Sequence, residues 1–189
     1  MSVAILTQFT PNPNALKFII NEDVKKTGKI TFRSAEESSK VPLVSKLFDL
    51  GFVDQVHLFE NVVTVTKSSD KEWEEITETV KSVLVDNVAQ HDSEFEDVSV
   101  ISTNHTIRSR DESPEIQKIE EVLDKTIRPY LQSDGGDLDV ISYENDKVVV
   151  SYEGACGTCP SSVAGTPQAI TNVLREEINS DIEVVTVNG

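Results

Sequence analysis

Cysteine is almost absent from this chain of 189 residues, which has only Cys156 and Cys159. A secreted domain stapled by disulfides would use more of them at wider spacing, so that class is excluded. Positive charge is scarce as well: Lys and Arg number 17 against 33 Asp and Glu, a formal charge of −16. So acidic a surface repels phosphate backbones and anionic lipid heads, which argues against nucleic-acid and membrane-surface partners. Long apolar runs are missing. The longest, such as residues 3–6 and 148–150, fall far short of the roughly 18 residues that a membrane span needs. The opening stretch MSVAILTQFTPNPN has no positive n-region, no useful h-region and no arginine, unlike a signal or transit sequence. The expected address is cytoplasmic. A glycine-rich phosphate loop is also lacking. The hydrophobic fraction, 38%, lies below that of a typical globular domain and fits ordered domains plus a polar linker.

At about 150 residues per domain, the length allows one core or two small ones. The pattern along the chain decides for two. Residues 3–9 and 16–20 read as strands on either side of Thr10-Pro11-Asn12-Pro13-Asn14, and 29–33 follows a Thr27-Gly28 turn. Pro42 opens a short helix through Leu43, Val44, Leu47 and Phe48 that stops at Gly51. Residues 53–59 and 62–67 flank Glu60-Asn61, a two-residue hairpin connection without the favoured glycine. Ser69 and Glu72 have the form of a capping box. Trp73, Ile76, Val80, Val83, Leu84 and Val88 then recur at helical intervals. Glu72, Glu74, Glu75 and Glu78 read as a solvated face in the early turns, where the helix dipole favours negative charge.

From about His91 to Ser113 the pattern dissolves into charges, serines and turn formers, with 98–101 the one run of strand character. Ser113 as N-cap and Pro114 at the first helical position then begin a helix with Ile116, Ile119, Leu123, Ile127 and Tyr130. Pro129 should distort its last turn. An Asp134-Gly135-Gly136-Asp137 loop follows, then strands 138–143 and 148–152 about a turn at 144–146. The loop 154–160, a helix carrying Ile170, Val173, Leu174 and Ile178, and a strand 182–187 complete the chain. The predicted fold is α+β: two small mixed domains, 1–92 and 114–189, joined by a polar linker at 93–113, the second with the order α-β-β-α-β.

Soft ligands gather only at Cys156-Gly157-Thr158-Cys159. Two-residue spacing lets both sulfurs turn toward one point, as metal and cluster binding require. Gly154 and Gly157 permit unusual backbone angles and leave N–H groups uncovered. Together with the N-terminus of the following helix, these groups stabilise negative charge on sulfide or thiolate. A tetrahedral zinc or a cubane cluster wants four ligands, and one chain offers two thiolates. His57, His91 and His105 lie in the first half or the linker, at no ligand spacing, and read as exposed or core-edge histidines. Two copies, each giving Cys156 and Cys159, supply four thiolates, so the arithmetic predicts a cluster-bridged homodimer.

A bare CxxC also serves zinc sites and thioredoxin-type dithiols. Against the latter, no W-C-x-x-C context is present, and Trp73 is far away. In favour of a cluster, Pro160 directly follows the second cysteine, an iron–sulfur habit that also starts a helix. A dithiol–disulfide oxidoreductase and a zinc-bridged structural dimer stay open as alternatives. Asp134, Asp137 and Asp139 lack the twelve-residue calcium loop with its terminal Glu and read as turn formers and N–H caps. Ser161 and Ser162 have no histidine nearby to activate them.

IRPYLQSDGGDLDV at 127–140 with GACGTCPSSV at 154–163 resembles the C-terminal domain of the NifU-like (Nfu) iron–sulfur proteins, a likeness covering about 114–189. TPNPNALKF at 10–18, VPLVSKLFDLGFVDQVHLFENVVTVTK at 41–67 and Trp73 resemble the Nfu N-terminal domain. The resemblance implies a scaffold or carrier of iron–sulfur clusters rather than a turnover enzyme. It assigns Cys156 and Cys159 as cluster ligands, holding a [4Fe–4S] cluster between two subunits, with [2Fe–2S] as the alternative. Upstream cluster-assembly proteins and apo iron–sulfur target proteins are the partners it implies, with the N-terminal domain assisting recognition. One departure is Thr166-Pro167-Gln168, where the family usually has Thr-Leu-Lys. Proline there either kinks the helix after the cysteines or starts a fresh one with Thr166 as N-cap.

Overall fold

A computed structural model describes residues 3–95 and 113–187, without the side chains of 160–165. The chain divides into two compact units, 1–104 and 105–189, and the architecture is α+β in both. No helix among the described residues is long and apolar enough to cross a membrane.

The first unit is a five-stranded antiparallel sheet of order β1-β2-β5-β4-β3, formed by β1 (Ile5–Phe9), β2 (Ala15–Ile20), β3 (Lys25–Phe32), β4 (Val53–Glu60) and β5 (Val62–Lys67). Alternate residues of the strands, among them Leu16, Phe18, Val63, Val65, Val56, Leu58, Ile30 and Phe32, enter one core. Leu43, Val44 and Leu47 of α1 (Pro42–Phe48) join it, as do Trp73, Ile76, Val80, Leu84 and Val88 of α2 (Trp73–Val88). The apolar periods of two and of three to four therefore predict the right faces. α1 begins at Pro42 and is followed by Gly51 at φ +76°, matching its expected punctuation. The Glu60-Asn61 hairpin forms, with Phe59 paired to Val62 and Glu60 at φ +49°.

Two expectations fail here. Thr27-Gly28 is not a turn between elements: β3 runs through it, with a register shift between Lys25 and Lys29 and Gly28 at φ +72°. A bulge lets the strand keep its partner β4 while absorbing extra residues. The Ser69 capping box does not form either. The chain turns at Ser68, whose carbonyl accepts the Lys71 N–H, so α2 starts only after Glu72, its N-cap, which makes no side-chain cap bond.

The first unit also runs past residue 92. The Ser93 carbonyl accepts the Lys26 N–H at 3.0 Å, Lys25 Nζ donates to the Phe95 carbonyl at 2.9 Å, and the Phe95 ring lies 6.5 Å from that of Phe32. The expected strand at 98–101, most of the 93–113 linker and His105 lie outside the described residues.

The second unit opens with α3 (Pro114–Thr126). Ser113 Oγ accepts the Ile116 N–H at 3.3 Å and Pro114 takes the first turn, as the sequence predicts. The single helix expected here is two, because the chain breaks at Ile127 and resumes as α4 (Arg128–Ser133). Pro129 has no N–H to give back, and its ring crowds the preceding turn, which ends α3 and suits the first turn of α4. β6 (Gly136–Glu144) and β7 (Lys147–Gly154) form a hairpin about Asn145 and Asp146, both at positive φ as a type I′ turn demands. β8 (Glu183–Val187) lies parallel to β7, reached through the crossover helix α5 (Pro160–Glu177). Pro167 neither starts a helix nor ends one: α5 continues through it. The order is thus α-α-β-β-α-β. Ile119, Leu123, Leu138, Val148, Val150, Ile170, Leu174 and Ile182 fill the core.

Candidate metal centre

Cys156 and Cys159 lie in the short connection from the end of β7 to the start of α5. Gly154 closes β7 at φ +60°, the Gly157 N–H returns to the Gly154 carbonyl at 3.1 Å, and Cys159 is the extended N-cap residue of α5. The N-terminal end of a helix favours negative charge nearby, which suits a thiolate. Both thiols are buried, at 4% and 3% exposure.

Strand pairing brings a second motif under the first. Gly136 opposes Gly154 in the β6–β7 register, and the Gly135 carbonyl accepts the Ala155 N–H at 3.1 Å. A Cβ on Gly136 would stand 2.5 Å from Cys156 Sγ, 2.7 Å from the Glu153 carbonyl oxygen and 2.8 Å from the Cys156 nitrogen. No side chain fits there. The double glycine before Asp137 therefore does more than form a loop: its second member is the floor on which Cys156 rests. A Cβ on Gly157 would lie 3.0 Å from the Tyr152 carbonyl oxygen, so this turn too is packed tightly against the end of β7.

Asp137, next along β6 and 2% exposed, anchors that floor. Its carboxylate accepts the Leu138 N–H at 2.7 Å and a bond from Gln132 Nε2 at 3.1 Å, and it pairs with Arg128 Nε at 3.3 Å. Arg128 also pairs with Glu120 and Asp124 and reaches the Leu138 carbonyl at 3.3 Å. Burial works to lower the pKa of this guanidinium, but the carboxylates around it prevail and hold it above its ordinary value. The expected N–H capping is thus present at Asp137. Its ion cluster with the end of α3 and the start of α4 is not visible in a linear reading.

Tyr152 completes the surroundings. Its ring shares the core with Cys156, it is 4% exposed, and its Oη is buried without a hydrogen bond of good geometry among the described residues. Burial drives its pKa strongly upward, negative charge on Cys156 adds to the rise, and a weak hydrogen-bonding contact with the Thr166 side chain opposes it.

Among the described residues no group of three or more His, Cys, Asp or Glu is placed to hold a metal. His57 instead bonds Thr31 Oγ1 at 2.8 Å, and His91 Nε2 bonds the Val24 carbonyl at 2.7 Å, both within the first unit. Among the described residues the centre is therefore a pair of soft donors, half of a tetrahedral set.

Residues 5–91 match the family described as scaffold protein Nfu/NifU N terminal, and residues 119–185 match the NifU-like domain. A NifU-like protein of Schizosaccharomyces pombe is 30% identical over 190 residues, covering 98% of this chain and 73% of its own. This chain belongs to the NifU-like (Nfu) family. It is also similar to NifU-like protein 5, mitochondrial, of Arabidopsis thaliana, at 30% identity over 93% of this chain and 64% of that one. A third relative is the NFU1 iron-sulfur cluster scaffold homolog, mitochondrial, of Drosophila persimilis, 33% identical over 92% of this chain and 61% of that one. The Nfu chain here thus spans a little under two thirds of the length of those last two relatives. The solution NMR structure of a NifU-like protein from Saccharomyces cerevisiae aligns over 47% of this chain and 80% of its own, with a TM-score of 0.44 and 23% identity.

Proposed function

We propose that this Nfu protein is an iron–sulfur cluster carrier. It takes a cluster from upstream assembly proteins, holds it between two copies through Cys156 and Cys159 of each, and delivers it to apo iron–sulfur targets. A [4Fe–4S] cluster is the cargo assigned here, with [2Fe–2S], which takes the same four thiolates, as the alternative. The observation that carries this reading is a buried CxxC at a helix N-terminus, with no third ligand among the described residues, in a chain of the Nfu family. Half a ligand set per chain makes the second copy part of the site.

The residues of the chain supply three things to such a carrier. The helix N-terminus and the open glycine backbone offset the negative charge of thiolates and sulfide. Gly154 precedes the turn 155–158 and Gly157 lies within it, and both let it open, which the buried sulfurs need before they can share a cluster. Finally, two copies at −16 each repel once no cluster bridges them, which favours release. Nothing in this cycle requires turnover chemistry.

The test is iron and acid-labile sulfide per chain after anaerobic reconstitution, with solution mass on the same sample. About two irons and two sulfides per chain in a dimer supports the four-iron cargo, and about one of each points to [2Fe–2S]. Iron-free protein whose dithiol cycles readily would replace the carrier with an oxidoreductase.

A further inference from the structure

We propose that Tyr152 Oη donates a hydrogen bond to sulfur of the bound cluster at its Cys156 corner, and so tunes how firmly the cargo is held. This rests on the carrier reading above. Tyr152 lies on β7 two residues before Gly154, in the same core cluster as Cys156 and beneath Gly157. Its hydroxyl is buried, and its contact with the Thr166 side chain falls short of a full hydrogen bond. Other polar groups around the centre are engaged: Gln132, the Leu138 N–H and Arg128 hold Asp137, and the 154–157 turn closes on its own backbone.

A buried hydroxyl left short of a full hydrogen bond costs the fold free energy that a phenylalanine would not. The cost is recovered if the group meets an acceptor in another state of the protein. Sulfur of a thiolate-ligated cluster is such an acceptor, and hydrogen bonds to cluster sulfur raise the reduction potential and stabilise the bound cluster. A phenol is well suited to the task. It is a donor at neutral pH, too weak an electron donor to displace a thiolate, and rigid enough on β7 to keep its aim. Thr166, its other polar neighbour, lies on α5, the helix that Cys159 caps.

The experiment compares wild type with Tyr152→Phe and, as a control, Tyr143→Phe, whose hydroxyl already donates to Asp146 Oδ1 at 3.2 Å. Reconstituted Tyr152→Phe should lose its cluster to a chelator roughly tenfold faster, as expected for one charge-assisted bond. Its cluster potential should shift to more negative values, and the deuterium sensitivity of its iron–sulfur stretching bands should diminish. The apo variant should melt no lower than wild type. Tyr143→Phe should change neither cluster lifetime nor potential. If wild type loads but Tyr152→Phe matches it in lifetime, potential and isotope response, this inference is wrong and the carrier stands. A wild type that cannot be loaded overturns both.

Discussion

Two loops of this molecule invite comparison. Residues 10–14 and residues 154–159 each lead out of one strand and set the position of the element that follows, yet they are built in opposite ways. The first is stiff and saturated. Two prolines fix its backbone, and Thr10 Oγ1 donates to the carbonyls of Asn12 and Ala15 at 2.9 and 3.0 Å. Asn14 gives its N–H to Asn12 Oδ1 at 3.0 Å, and Trp73 Nε1 closes the set on the Pro13 carbonyl at 3.1 Å. The second is loosened by glycine and tied through backbone bonds, and it carries two buried thiols in a core shared with the weakly held phenol of Tyr152. Side chains spent on each other make a joint; soft donors at a glycine-loosened turn make a site.

Removing the thiols breaks that comparison outright. Cys156→Ser or Cys159→Ser takes two of the four thiolates from a dimer, and iron per chain after reconstitution should fall close to zero. The melting temperature should move by only a few degrees.

Asp137→Ala attacks the floor instead. It strips a partner from Arg128 and a bond from the start of β6, and should cost about 3 kcal/mol in denaturant unfolding of the second unit. Gly136→Ala acts more locally. Its methyl meets Cys156 Sγ and two backbone atoms inside 3.0 Å, so about 2 kcal/mol of strain and a displaced ligand are expected. Loading should slow in the glycine variant far more than its loss of stability explains, and stopped-flow absorbance after iron and sulfide addition would read this.

The stiff loop should give less. Trp73→Phe keeps the edge contact with Phe18, whose ring lies 6.3 Å away, and loses only the bond to Pro13. About 1 kcal/mol of stability should go, with iron content unchanged.

These sites also show where linear reading works and where it stops. The CxxC, its proline and both glycines around it are local, and so is their chemistry. What residue 136 does is not local: Gly136 becomes the floor of Cys156 only through a strand register that pairs it with Gly154. Tyr152 reads as an ordinary inward residue of an alternating strand, and nothing in the pattern tells that its buried hydroxyl falls short of a full hydrogen bond. Two prolines teach the same lesson. Pro129 splits a predicted helix where the chain must turn toward β6, whereas Pro167 is passed over by a helix held on its far side by buried Ile170 and Leu174. Proline states a local cost, and packing decides whether the helix meets it. Likewise Thr27-Gly28 has the composition of a turn, but a partner strand runs alongside on both sides of it, and the result is a bulge.

The smallest effect expected separates the two units by pH. His91 helps hold residues 91–95 against the first unit, its Nε2–H donating to the Val24 carbonyl at 2.7 Å. Burial lowers its pKa below the ordinary 6.5. The Val24 carbonyl and Asp92 pull it back upward, while Lys25 adds to the lowering. The unfolded chain therefore takes up this proton more readily than the folded one. The stabilisation is fully present above pH 6.5 and is lost as the pH falls below that value through the lowered folded pKa. The described residues of the second unit contain no histidine, so no matching loss is expected there from this residue type. The single tryptophan, Trp73, lies in the first unit, and its fluorescence follows that unit's melting. Between pH 7.5 and 5.5 its midpoint should drop in wild type and drop less in His91→Gln. An equal drop in both would mean that this latch plays no part in the acid sensitivity of the first unit.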